Sequence, residues 1–329
     1  MDIIISLGAV LAIIVVALVG AQATGLQYLL GIIIPYAAFA VFLVGFVKRV
    51  LDWARSPVPF RIPTTAGQEV SLPWIKSAKL DNPSTTSGVI ARMALEIFAF
   101  RSLFRNTKAE WRSGFLIQGP AKWLWLGALL FHYGFLVTAV RHLRLFVDPI
   151  PAWINGIDMI DGMLQIGAPP VYISDLLLIG GLAILLVRRL ALPKVRYISL
   201  PADYFPLFLI LAIGITGLLM RFFFRVDIVG VKTLVVGLAS FRPTLPDGIG
   251  AMFFIHVLLV CTLLAYFPFS KLMHMGGVFL SPTRNLANTN RMKRHINPWW
   301  KPPKFHPYEE YEDEFRELMK EAGIPVERE

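Results

Sequence analysis

Long apolar runs alternate with short polar segments from the first residues to about position 270, beyond which the chain turns polar. A window of roughly 19 residues, the length that crosses a bilayer as a helix, picks out six runs. They are Ile3–Ala23, Leu26–Val47, Trp123–Val140, Ile173–Val187, Tyr204–Met220 and Gly248–Ser270, and they are almost free of Lys, Arg, Asp and Glu. Lipid offers the backbone no hydrogen-bond partners, so continuous runs of this length must be helices. The expected fold class is all-α: a polytopic membrane helical bundle with six transmembrane helices. Ala21-Gln22-Ala23 resembles a signal-peptidase site, but no Lys or Arg precedes the run and Asp2 is acidic. The first helix is therefore expected to be retained; cleavage would leave five spans in the same orientation.

The polar segments divide the chain. Residues 1–47 form an N-terminal transmembrane hairpin turning near Thr24-Gly25, with a kink expected at Pro35. Residues 48–120 form a long loop that opens with Pro57, Pro59, Pro63 and Pro73 and reads there as irregular chain. From Ser87 to Trp111, the residues Ile90, Leu95, Ile97, Phe98, Leu103 and Phe104 alternate with Arg92, Arg101, Arg105 and Lys108. That pattern predicts an amphipathic helix against the membrane surface or a partner. Residues 121–275 hold the remaining spans. Within them, 148–172 reads as an ordered loop, and 228–241 is too short for a span and predicts an interfacial or re-entrant helix. The tail, 276–329, is irregular through Pro298, Pro302, Pro303 and Pro307. An apolar stripe of Tyr311, Phe315, Leu318 and Met319 then predicts a docking helix.

Charge orients this arrangement. Residues 48–122 carry 12 Lys/Arg, 188–203 carry 4 and the tail from Lys271 carries 10; the alternate segments 141–175 and 221–247 carry 2 and 4. By the positive-inside rule both termini and the 48–122 loop are cytoplasmic, in a cytoplasmic (inner) membrane. The net charge of +10 is thereby explained without nucleic acid, because the basic residues flank spans. One cysteine, Cys261, excludes a disulfide, an iron–sulfur cluster held by this chain alone and covalent c-type haem.

Histidine placement changes the picture most. Four of the six histidines lie in or at the ends of two apolar runs, His132 and His142 in the third, His256 and His274 in and after the sixth; His295 and His306 lie in the polar tail and read as surface residues. An imidazole in lipid needs a polar partner or a metal. Antiparallel third and sixth helices would pair His132 with His274 near one face and His142 with His256 near the other. Two bis-histidine b haems between these helices would form a transmembrane electron path, each iron six-coordinate and closed to substrate. The spacings are unequal: ten residues rise ~15 Å and eighteen rise ~27 Å, so a kink at Pro268 is expected to shorten the longer one. Gly127 and Gly134 flank His132 and would let a flat macrocycle approach the helix. Arg141, Arg144, Arg221 and Arg225 are the candidate propionate partners. A transporter or a structural anchor remains the alternative of another class; the scarcity of charge in the spans weakens the first.

From His256 onward, the apolar run and then Phe267-Pro268-Phe269-Ser270-Lys271-Leu272-Met273-His274 resemble the last helix of the respiratory nitrate reductase gamma subunit, of the NarI-like dihaem cytochrome b family. The His132/His142 pair resembles that family's earlier ligand helix. The extra N-terminal span, the long 48–122 loop and the continuation Met275-Gly276-Gly277-Val278-Phe279-Leu280-Ser281-Pro282-Thr283-Arg284-Asn285 look more like the DsrM-type membrane subunit of the sulfite-reduction-associated complex. The resemblance implies two b haems on the four histidines and a menaquinone site near the outer haem. It also implies a cytoplasmic iron–sulfur partner related to heterodisulfide reductase subunits, further membrane and extracytoplasmic redox subunits, and a role in dissimilatory sulfur metabolism. A quinol oxidised there needs a proton acceptor, for which Asp148, Asp158 and Asp161 are candidates. The gamma subunit of a nitrate reductase or of a heterodisulfide reductase is the alternative within redox chemistry.

Overall fold

A computed structural model describes residues 1–23, 25–58, 67–105, 108–167, 169–288, 301 and 303–327. Thr24, Pro59, Pro63, His295, Pro298 and Pro302 lie outside the described residues. The chain forms two compact units, Met1–Thr289 and Asn290–Glu329. Every predicted apolar run is a helix. Helices α1 (Asp2–Gln22) and α2 (Leu26–Ala54) meet at Gly25, whose φ of 85° only glycine adopts readily. Where Pro35 removes a helix donor, α2 widens into one π turn over Leu29–Ile33.

The loop that follows corrects one expectation. Helix α3 (Thr86–Ala99), capped by the Thr85 hydroxyl accepting from Gly88 N at 3.2 Å, stops far short of Trp111. Phe100 turns left-handed at φ 47°, and the freed carbonyls of Phe98 and Ala99 accept from Tyr133 Oη at 2.9 Å and Trp125 Nε1 at 2.8 Å. Beyond it, β1 (Lys108–Arg112) and β2 (Phe115–Gly119) form an antiparallel hairpin. Its turn, Ser113-Gly114, holds both residues at positive φ, as a two-residue hairpin loop requires. On α3 the apolar face points outward: Ile90 is 65% exposed while Arg92 is buried.

Helix α4 (Lys122–His142) runs on into a 3-10 turn, Leu143–Leu145, and is followed by a short α5 (Ala152–Asp161) and by α6 (Ile173–Ala191). Helices α7 (Pro201–Phe222), α8 (Ile228–Ala239) and α9 (Ala251–Tyr266) complete the bundle, and α10 (His274–Leu280) leaves it. Five described helices are long and apolar enough to cross a membrane: α1, α2, α4, α7 and α9. The expected sixth, α6, is 19 residues long, but Asp175, Arg188 and Arg189 cut its apolar stretch from both ends. It lies antiparallel along α4, with glycines where the two backbones meet. A Cβ at Gly134 would strike the backbone of Ser174, Leu177 and Leu178 at 2.5–3.0 Å, and one at Gly181 would strike the backbone of Phe131 and Gly127. Gly127 and Gly134 therefore serve helix packing; contrary to the expectation from sequence, they do not clear space for a macrocycle.

On the other side α9 packs against α1, α2 and α7, with Val10, Ala17, Leu209, Ile255 and Leu259 at the centre. The 12-residue α8, too short to span, covers one end of this group through Val231 and Leu234. Large side chains such as Val16, Val19, Phe39 and Val44 face outward, which water would penalise and a bilayer would not. The chain is a polytopic helical membrane protein. The second unit contributes α11 (Tyr308–Glu321), where Tyr311 and Phe315 stack at 5.0 Å.

Candidate functional site

Two ends of the bundle are distinguishable: the loop side, where α3, the hairpin and α10 gather, and the distal side, where α5 and α8 lie. His132, on α4, and His274, the first residue of α10, come together at the loop side, their ring centroids 5.8 Å apart at 80°. Phe100 and Phe131 stand edge-on to His132 at 5.0 and 4.8 Å. His274 reaches this place because α9 ends at Tyr266. Two 3-10 turns, Phe267–Phe269 and Lys271–Met273, follow around Pro268 and an extended Ser270, so the long spacing is broken where the proline predicted. At the distal side, His142 stands within electrostatic reach of His256 on α9. A Cβ at Gly217 of α7 would lie 3.6 Å from His256 Cε1. Among the described residues α4 and α9 share no extensive backbone contact, so His142 and His256 stand on helices that are not packed tightly together.

All four rings are held in one tautomer. His132 Nδ1 lies 2.7 Å from Ala128 O, His142 Nδ1 2.7 Å from Thr138 O, and His274 Nδ1 2.9 Å from Lys271 O. A carbonyl only accepts, so each Nδ1 carries the proton. His256 Nδ1 lies 2.9 Å from Thr216 Oγ1, and that hydroxyl has carbonyls at 2.8 Å (Ala212) and 3.0 Å (Ile213) to take its own proton. It therefore accepts from His256. A neutral ring so held keeps its lone pair on Nε2, the state in which imidazole binds a metal. Among the described residues no group of three or more His, Cys, Asp or Glu is arranged for a metal ion.

The distal charges pair with one another. Arg141, 6% exposed, donates through Nε to Asp158 at 2.7 Å and through Nη1 to Asp161 at 2.9 Å and Ser174 Oγ at 3.2 Å. Arg144 donates to Asp158 at 2.5 Å, and Asp161 accepts from Ser174 N and Oγ. Tyr172 presents its ring to Arg141 at 3.2 Å and to Arg221 at 4.0 Å. Arg221 donates to Pro170 O, Asp148 accepts from Lys232 at 2.9 Å, and Arg225 is exposed. Arg141, Arg144, Asp158 and Asp161, which the sequence offered for two separate tasks, thus fasten α5 to α4 and α6. One acidic residue escaped the sequence reading: Asp175, in the first turn of α6, which stands in the field of Arg141, Arg221 and His142. An acid inside the fourth apolar run was the signal that could have found it.

Fold and site together define a membrane-embedded helical protein with two cross-helix histidine pairs. The family model "Nitrate reductase gamma subunit" matches residues 89–294, and the chain belongs to that family. It is 45% identical over 276 residues, 82% of each chain, to the Hdr-like menaquinol oxidoreductase cytochrome b-like subunit of Archaeoglobus fulgidus. It is 24% identical to a component of the dihydromethanophenazine:CoB–CoM heterodisulfide reductase of Methanosarcina mazei, over 78% of this chain and 91% of that one. With the respiratory nitrate reductase 1 gamma chain of Escherichia coli the identity is 32%, over 51% of this chain and 78% of that one.

Proposed function

We propose that this chain is the cytochrome b subunit of a menaquinol-oxidising membrane complex. His132 with His274, and His142 with His256, would each hold one b haem. The observation that carries the reading is the uniform Nδ1 engagement, which in neutral rings leaves Nε2 open to a metal, together with the His132 and His274 rings brought to 5.8 Å. Haem would supply one-electron transfer with no open coordination position. The chain's own residues would fix the imidazole tautomers and set the two sites at opposite ends of the bundle.

The charge distribution supports a cytoplasmic membrane with the loop side and both termini in the cytoplasm. Menaquinol would then be oxidised near the His142–His256 site. Electrons would leave from the His132–His274 site to a cytoplasmic iron–sulfur partner of the heterodisulfide-reductase kind, with further redox subunits in the complex and sulfur metabolism as its setting. The relative at 45% identity, whose name includes both Hdr-like and menaquinol, favours this over a nitrate reductase.

A pyridine haemochrome assay tests it. Wild type should carry two non-covalent b haems per chain, and His132→Ala, His142→Ala, His256→Ala and His274→Ala should each lose about one. A colourless purified protein would refute the reading.

A further inference from the structure

Oxidising a quinol demands a base as well as an electron acceptor, and the distal side holds few free ones. Asp158 and Asp161 are tied to Arg141, Arg144 and Ser174. Asp148 bonds Lys232, Asp227 caps α8 through Val229 N, and Asp247 lies exposed in the loop before α9. Asp175 differs: it is half-buried in the first turn of α6 and makes no hydrogen bond or ion pair among the described residues. The charges that face it are Arg141 and His142 from α4, Arg221 from α7 and Asp161 from the end of α5. Two further polar atoms at this end, Thr138 Oγ1 and Arg221 Nε, are buried without a hydrogen-bond partner. Thr138 lies one helical turn before His142, and its carbonyl fixes that ring. An unengaged carboxylate in the field of His142 and Arg221, an unengaged hydroxyl one turn before His142 and an unengaged guanidinium N–H thus belong to the same end of the bundle, and a small polar ligand with both donor and acceptor oxygens would suit all three.

We infer that Asp175 is the proton acceptor for a hydroquinone bound beside His142, with Thr138 and Arg221 as its polar contacts. This rests on the menaquinol reading above. Oxidation of one p-hydroquinone to the quinone breaks two O–H bonds and releases two protons and two electrons. The Asp175 carboxylate takes one proton, water at the distal surface takes the other, and the two electrons leave one at a time, reducing two ferric b-type porphyrins to the ferrous state.

The test uses the whole purified complex and a water-soluble naphthoquinol. In Asp175→Asn, haem content, the dithionite-reduced spectrum and the midpoint potentials should match wild type, while naphthoquinol-driven haem reduction falls at least tenfold. Asp175→Glu should restore part of that rate. An Asn variant as fast as wild type overturns the inference, and so does one that slows only in proportion to lost haem. If wild type is reduced by dithionite but not by naphthoquinol, the menaquinol reading itself fails, and this inference with it.

Discussion

Among single residues, Thr216 decides how His256 would serve as the proposed haem ligand. Its hydroxyl satisfies a helix carbonyl with its proton and offers a lone pair to His256 Nδ1–H, so one oxygen fixes both its own rotamer and the ring. Thr216→Val keeps the shape and removes the acceptor. The buried N–H then lacks a partner, at a cost of about 1–3 kcal/mol, and the imidazole becomes a poorer electron donor. For the proposed haem on His142 and His256, the expected result is weaker retention, about 10–100-fold in affinity, and a raised midpoint potential for that centre alone. Potentiometric titration of the α-band would show it; two unchanged potentials would mean that the hydroxyl has no electronic role. His132, His142 and His274 take their acceptors from backbone carbonyls, so no side-chain substitution can make the equivalent change there.

The elements differ in what holds them. The α4–α6 pair relies on backbone proximity at Gly127, Gly134 and Gly181, the means by which helices associate where lipid is as apolar as the side chains. Gly134→Leu should exceed the ~1–3 kcal/mol of ordinary overpacking, since backbone has nowhere to move. Gly180→Leu, where an added Cβ meets nothing within 4 Å, should be tolerated. Size-exclusion profiles of fluorescent fusions would distinguish the two, and equal behaviour would contradict the packing described. Hydrophobic length exposed the six long helices, and rarity marked the four histidines, because both are local signals; α5, inside the segment read as an ordered loop, was missed. Other features depend on partners far along the chain. Nothing near Phe100 announces that α3 will end there, since Trp125 and Tyr133 supply the donors that stabilise that end. Likewise Arg141 and Asp161 read as separate candidates until the fold joins them across 20 residues. The Ser113-Gly114 turn was readable, and the surrounding mixture of Arg with large apolar residues concealed it as a helix.

Viewed whole, the molecule is polarised. The loop side carries α3, the hairpin and the segment after α10, where Asn288 bonds both Asn82 Oδ1 at 2.8 Å and Pro83 O at 2.7 Å and so closes the tail onto the loop. The distal side carries the arginine–aspartate cluster and α8. The proposed electron path has the loop side facing the cytoplasm, and the positive-inside rule favours the same orientation by an independent route, with 26 Lys/Arg in residues 48–122, 188–203 and 271–329 against 6 in 141–175 and 221–247. Native Cys261 is buried, so it is a silent background for thiol labelling. Asn155→Cys on α5 is exposed at the distal side and Ser113→Cys is exposed in the hairpin turn. In right-side-out vesicles a membrane-impermeant maleimide should label the first at once and the second only after detergent. The opposite pattern would place the quinol-oxidising end in the cytoplasm, and both the direction of electron flow and the docking side would have to be reversed.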